Sequence, residues 1–190
     1  MGLEDIAMFR AIGATVLYPA DAWAAARLLD VALRGKGIQY LRLTRAAVPQ
    51  LYNRKTSFHI GGSHTVLQSR RDRVTIVTAG ITVWAALTAA QVLAEHNINV
   101  RVIDAYSIAP LDIDALRRAT KETKHIITVE DHRAAGGLGE AVRGALGPMA
   151  GNVHALAIDK TPRSGQPEEL LRYEGIDATM IVKTVKKLLS

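Results

Sequence analysis

Four stretches of the sequence carry residue types that can do chemistry. Val129-Glu-Asp-His132 sets two carboxylates and an imidazole in a row, and Gly136-Gly-Leu-Gly139 follows before Glu140. At the end of a parallel strand such residues stand where α/β sheets place functional groups. A glycine-rich turn into a helix can also offer backbone N–H groups to an anion. One reading is therefore an acid/base cluster or anion site; the other is that Glu130, Asp131 and His132 cap the turn while the glycines let it bend. The full Gly-x-Gly-x-x-Gly spacing and the Walker lysine are absent, which favours capping. Adjacent strand residues point to opposite faces, so no metal site is read here.

Leu41-Arg42-Leu43-Thr44-Arg45 is the second stretch. It places Arg45 just past an apolar run and beside a hydroxyl. Arginine there can hold a phosphate through two parallel hydrogen bonds, with Thr44 adding another. The competing reading is a surface salt bridge. His59 and His64 bracket a Gly-Gly-Ser linker without a third ligand, and His96, His125 and His154 fall at element ends, where structural roles are expected. Thr161-Pro-Arg-Ser-Gly-Gln-Pro167 is a turn ahead of a helix at Glu168.

The elements that position these groups alternate. Strands are expected at Thr15–Pro19, Gly37–Thr44, Val74–Thr78, Ile98–Ile103, His125–Val129 and Val153–Ile158, several of them continuous apolar runs suited to a sheet covered on both faces. Asp21 caps a helix with Ala25, Leu28, Leu29 and Ala32 at helical spacing. Thr82 or a neighbour opens a second, with Ala86, Ala89, Ala90 and Leu93 on one face. A last helix turns Ile181, Val185, Leu188 and Leu189 inward and its lysines outward. The alternation reads as α/β. Between residues 46 and 72 the composition shifts to Asn, Arg, Lys, Ser and Gly, with one short strand at His64–Gln68, which marks a boundary. Two strands before it make a poor independent sheet. The first part is thus expected to be a fragment of a larger domain, while residues 73–190 hold four strands and about five helices.

The 190 residues are 48% hydrophobic and 22% charged, a globular composition rather than a disordered one. With no cysteine, disulfides, thiolate metal sites and a cysteine nucleophile are excluded. The net charge of +6 is scattered, and the two Trp, five Tyr and two Phe do not interleave with basic runs, which argues against nucleic acid and for a small anionic metabolite. No apolar run reaches the roughly 20 residues of a membrane span.

Taken in order, several segments resemble transketolase over essentially the whole chain: Gly2 to Arg10, Val16-Leu-Tyr-Pro-Ala-Asp21, Thr44-Arg45, Val129-Glu-Asp-His132 with Gly136-Gly-Leu-Gly-Glu-Ala-Val142, and Pro162-Arg-Ser-Gly165 with Pro167-Glu-Glu-Leu-Leu171 and Gly175-Ile-Asp177. The resemblance implies a partial pyrimidine-binding α/β domain with linker at residues 1–67, followed by a mostly parallel-sheet, three-layer C-terminal domain at 68–190. It implies transfer of a two-carbon ketol unit between sugar phosphates, using thiamine diphosphate and a divalent cation (Mg or Ca) in the assembled enzyme. The family's Gly-Asp-Gly…Asn-Asn motif does not occur here. The glutamate that activates the aminopyrimidine and its stacking aromatics would precede this chain, which is therefore expected to bind no cofactor or metal and to be inactive alone.

Of the family's substrate contacts only Arg45 has a match, as the arginine that binds the sugar phosphate. Thr44 stands where a serine is usual, so the substrate-binding residues implied are Arg45 and Thr44, and no catalytic residue is assigned. The partner implied is an N-terminal transketolase subunit or region, in a cytoplasmic homodimer or higher oligomer without nucleic acid or membrane. The alternative is a non-catalytic assembly or regulatory module built on the same C-terminal domain. The truncated first part is expected to expose an apolar face and open strand edges.

Overall fold

A computed structural model describes residues 2–45 and 47–190. The chain runs α1 (Asp5–Ala11), β1 (Thr15–Leu17), α2 (Ala22–Leu33), β2 (Gln39–Leu41), β3 (His64–Leu67), β4 (Val74–Thr78), α3 (Thr82–Glu95), β5 (Val100–Asp104), β6 (Ser107–Ala109), α4 (Ile113–Glu122), β7 (His125–Arg133) and α5 (Leu138–Leu146). A 3-10 turn at Gly147–Asn152, β8 (Val153–Ile158), α6 (Pro167–Glu174) and α7 (Ala178–Leu189) complete it. The α/β architecture is as expected.

Two sheets form. The larger has the order β3-β5-β4-β7-β8, with β5, β4, β7 and β8 parallel and β3 antiparallel at one edge. Every residue of β4 and β5 is buried, which suits the unbroken β-branched sequence of β4 and the Val100, Val102 and Ile103 of β5. Ile76 and Val102 pack beneath Ala86, Ala90 and Leu93 of α3 and Ile181 and Val185 of α7. Val77 and Ile103 face the other way, toward Leu116 of α4 and Leu138 and Val142 of α5. The result is helices on both faces of one sheet.

The smaller sheet has the order β2-β1-β6. β1 and β2 are parallel, and β6 pairs antiparallel to β1, with Leu17 opposite Ser107. The sequence gives no sign of β6, since three residues ahead of Pro110 show no period, and its partner lies about ninety residues earlier. Val16 and Leu17 point to opposite sides of β1. Val16 joins Ile6, Ile103 and Leu116 in the core shared with the large sheet. Leu17 joins Ala24, Leu28 and Ala32 of α2 together with Tyr52, Phe58 and Tyr106.

Helix starts follow local chemistry. The Asp21 side chain accepts from Ala24 N at 2.7 Å, Asp112 from Ala115 N at 2.9 Å and Asp177 from Met180 N at 3.0 Å. Gln166 and Glu169 form a capping box around Pro167, and Gly175 closes that helix in the left-handed region at φ +72. Residues 47–63 hold no helix or strand, yet they are not a loose linker: Tyr52 and Phe58 are buried, and Asp21 Oδ2 accepts from Leu51 N and Tyr52 N at 2.6 and 2.8 Å.

Candidate functional site

The expected strand at His125–Val129 continues to Arg133, so Glu130, Asp131 and His132 are strand residues, each buried. Each is buried for a different reason. Glu130 Oε2 accepts from Leu138 N at 2.6 Å and Oε1 from Gly139 N at 2.9 Å, so its carboxylate occupies the N-terminus of α5. A Cβ at Gly137 would collide with Glu130 Oε2 and with the Arg133 carbonyl, which is the close approach the glycine permits. The capping reading therefore holds for Glu130, and the backbone N–H groups of the glycine turn serve the protein's own carboxylate. Burial raises the pKa of Glu130, and the two N–H donors only partly offset it, leaving it at about 7.

Asp131 faces the small sheet. It accepts from Tyr18 Oη at 2.9 Å and from Arg42 Nη1 at 2.8 Å. His132 accepts from Ala7 N through Nε2 at 3.4 Å and donates from Nδ1 to the Arg133 carbonyl at 2.7 Å. Burial holds its imidazole below the usual histidine range. The three groups thus face different partners and do not converge as an acid/base cluster.

Arg42 is the residue that sequence reasoning passed over. Only 2% of its side chain is exposed. Its Nε donates to Asp5 Oδ2 at 2.9 Å, and Nη2 donates to the carbonyl of Asp131 at 3.2 Å and that of Gly2 at 3.4 Å. Its guanidinium carbon lies 4.6 Å from the centre of the Tyr18 ring. Tyr40 Oη also donates to Asp5 Oδ2, at 2.6 Å, and the Tyr40 ring stacks on Phe9 at 3.9 Å. Burial opposes ionisation of Asp5, but Tyr40 and Arg42 outweigh it and hold its carboxyl below the usual range. The alternation of Tyr40 and Arg42 on one face was the available signal.

β2 ends at Leu41, where its pairing with β1 runs out at Leu17, rather than at Thr44. Arg45 therefore lies four residues beyond the strand, exposed, at the C-terminal end of the parallel β1–β2 pair. Among the described residues no carboxylate pairs with Arg45, so the surface salt bridge is not what the structure shows. Thr44 is half-buried and lines an open cleft of about 340 Å³ between Pro19 and Ala22 on one side and Leu43 and Val48 on the other.

The other histidines stay apart. His64 Nε2 lies 3.0 Å from the Ser57 carbonyl, its ring among Tyr52, Phe58 and Tyr106, and burial lowers its pKa. His125 and His154 approach with ring centres 5.5 Å apart. Among the described residues no three His, Asp or Glu side chains gather as a metal site. In the Thr161–Pro167 turn, Arg163 stacks over Tyr173 at 3.7 Å. Asp104, at the end of β5, was also missed. It is fully buried, accepts from Tyr52 Oη at 2.6 Å, and is pushed up to about 7 by burial.

A diphosphate with its metal does not fit these groups. The glycine turn that could receive it is filled by Glu130, and the carboxylate beside it is committed to Arg42.

Residues 63–181 match the family described as transketolase, C-terminal domain. The chain belongs to that family. It is 42% identical to human transketolase over 193 aligned positions, covering 100% of this chain and 31% of that protein. Transketolase-like protein 1 of Macaca fascicularis gives 42% over 192, covering 32% of its length. The chain thus spans a little under a third of the curated transketolases it matches. Among solved structures, a split-gene transketolase described as an inactive β4 tetramer aligns at TM-score 0.92 and 30% identity, over 98% of this chain and 62% of that one. Transketolase from Campylobacter jejuni aligns at 0.78 and 18% identity, which shows the shared fold.

Proposed function

We propose that this chain is the C-terminal component of a thiamine-diphosphate-dependent transketolase, completed by a separate N-terminal chain or region. Residues 1–67 would be the second half of a pyrimidine-binding domain and residues 68–190 the C-terminal domain. One observation carries the reading. The chain aligns end to end with a minor part of transketolases, and its first 45 residues present what a domain cut in half would present. Six of the ten exposed large hydrophobic side chains among the described residues fall there: Met8, Ile12, Leu29, Leu33, Ile38 and Leu43. The free side of β2 is an unpaired edge in the same region.

In this reading the partner supplies the diphosphate, the divalent cation and the carbanion chemistry. This chain supplies the Arg45 guanidinium for the phosphate end of the sugar phosphate, with the Thr44 hydroxyl beside it at the cleft mouth. No helix among the described residues is long and apolar enough to cross a membrane, and a cytoplasmic setting suits phosphorylated sugars. Without its partner the chain is expected to self-associate through the apolar face. The solved split-gene relative, described as an inactive tetramer of one kind of chain, supports that expectation.

The test is ketol transfer from xylulose 5-phosphate to ribose 5-phosphate with thiamine diphosphate and magnesium. The chain is assayed alone and then with the candidate N-terminal chain. Activity is expected only in the mixture; activity of this chain alone would defeat the reading. In the mixture, Arg45→Ala is expected to weaken phosphorylated substrates by roughly 1.5–3 kcal/mol, the scale of a charged hydrogen bond.

A further inference from the structure

Arg45 has no ion-pair partner of its own among the described residues, Leu43 is exposed, and Thr44 is half-buried at an open cleft. Three residues upstream the situation reverses. Arg42 is gripped by Asp5 from α1, by both the side chain and the main chain of Asp131 from β7, and by the Gly2 carbonyl, with the Tyr18 ring beneath it. The same N-terminal segment is tied to the end of β7 at further points. Arg133 N donates to Leu3 O at 3.0 Å, Ala7 N to His132, and Arg10 Nη1 to the carbonyls of Gly136 and Gly137.

Three residues of chain reach at most about 10 Å, so the place of Arg42 limits the place of Arg45. A buried ion pair is poor evidence for stability, because apolar residues of like volume often do as well. What the charged fork supplies is direction. Its planar donors meet acceptors from two separate segments, the N-terminal residues Gly2 and Asp5 and strand β7, a geometry lysine cannot copy.

We propose that Asp131 and Asp5, acting through Arg42, are positioning residues that fix the Thr44–Arg45 loop, so that strand β7 of the C-terminal domain tunes recognition of the substrate's phosphate end. The phosphate role of Arg45 is taken from the functional reading above; the fixing of the loop stands apart from it. Glu130, next to Asp131, has no part in this, since it caps α5.

The experiment uses the full chain carrying Arg42→Lys, and the triple variant Arg42→Met with Asp5→Asn and Asp131→Asn, which removes the guanidinium together with both carboxylates it pairs and so avoids leaving one uncompensated. Hydrogen exchange of the chain alone is read first. Amides of residues 41–48 are expected to exchange at least tenfold faster in both variants, while those of β4 keep wild-type protection. Unchanged exchange at 41–48 in a folded variant would overturn the proposal. In the reconstituted enzyme, the kcat/KM preference for ribose 5-phosphate over unphosphorylated ribose is expected to fall five- to tenfold. An equal loss for both acceptors would show a purely structural role and overturn it as well. Arg45→Ala separates the two ideas. If it leaves that preference intact, the phosphate reading fails, and the exchange result still decides whether the latch holds the loop.

Discussion

In the large sheet, β4 and β5 are buried along their whole length, with α3 and α7 on one face and α4 and α5 on the other. The small sheet ends at β2, whose three residues are all half-buried, and the helix beside it leaves Leu29 48% and Leu33 76% exposed. Both regions use the same strand-then-helix grammar. The difference is closure. Apolar residues in the small-sheet region outnumber the surfaces available to cover them, while in the large sheet the two numbers match. The open region holds its shape by leaning on the closed one, and here it does so through the Val16 core, the Arg42 ion pairs and the pairing of β1 with β6.

The contrast predicts unequal sensitivity to truncation. Ile76→Ala removes a side chain packed on every side and is expected to cost about 2–5 kcal/mol of unfolding free energy. Ile38→Ala, at 53% exposure, is expected to cost less than about 0.5 kcal/mol and to reduce self-association. Urea denaturation of the two variants, with light scattering on the second, checks this. Equal costs would mean that the small sheet is as closed as the large one.

A second measurement probes the seam. Asp104 belongs to the large sheet and Tyr52 to the segment strapped against α2. Burial raises the Asp104 carboxyl to about 7. An acid raised in the folded state contributes stability that is complete below about pH 4 and is lost as the pH climbs through about 7. Asp104→Asn removes that titration. Relative to wild type it is expected to gain about 2–3 kcal/mol between pH 5 and pH 8. Glu130 titrates in the same direction as Asp104 and His132 in the opposite one, so the difference between variant and wild type isolates Asp104. A difference that stays flat with pH would place Asp104 outside the seam.

The smallest effect compares two caps. Asp177 serves one N–H, so Asp177→Ala is expected to cost about 1 kcal/mol. Asp21 serves Ala24, Leu51 and Tyr52 together, and Asp21→Ala is expected to cost about 2 kcal/mol because two further N–H groups lose their acceptor. Thermal unfolding of both variants ranks them, and equal costs would mean that residues 51–52 hold to α2 without Asp21.

What was legible in the sequence follows the same division. Val74–Thr78 and Val153–Ile158 are legible residue for residue, the first because a strand buried on both faces is a β-branched run and the second because an apolar run persists even in a half-buried edge strand. The strand at His125 was stopped four residues short, since Glu130, Asp131 and His132 look like a loop until their partners at Leu138, Arg42 and Ala7 are seen. Those partners lie 8, 89 and 125 residues away. Arg42 was hidden between two leucines for the same reason. Thr44 and Arg45 were found by likeness to a family, and nothing local distinguishes Arg45 from other exposed arginines. Tyr52 and Phe58 sit in a stretch whose polar composition reads as linker, yet their two buried rings and the Asp21 carboxylate anchor it.

The short strand β6 gives the molecule a topology of exchanged parts. Residues that come after the first five strands in the chain return to complete the sheet in which β1 and β2 lie. No single cut in the backbone between β3 and β5 can therefore release two finished pieces, because the earlier piece would lack an edge and the later one would carry it. Fragments made by such a cut would be complementary by construction, each recognising the other through an absent strand.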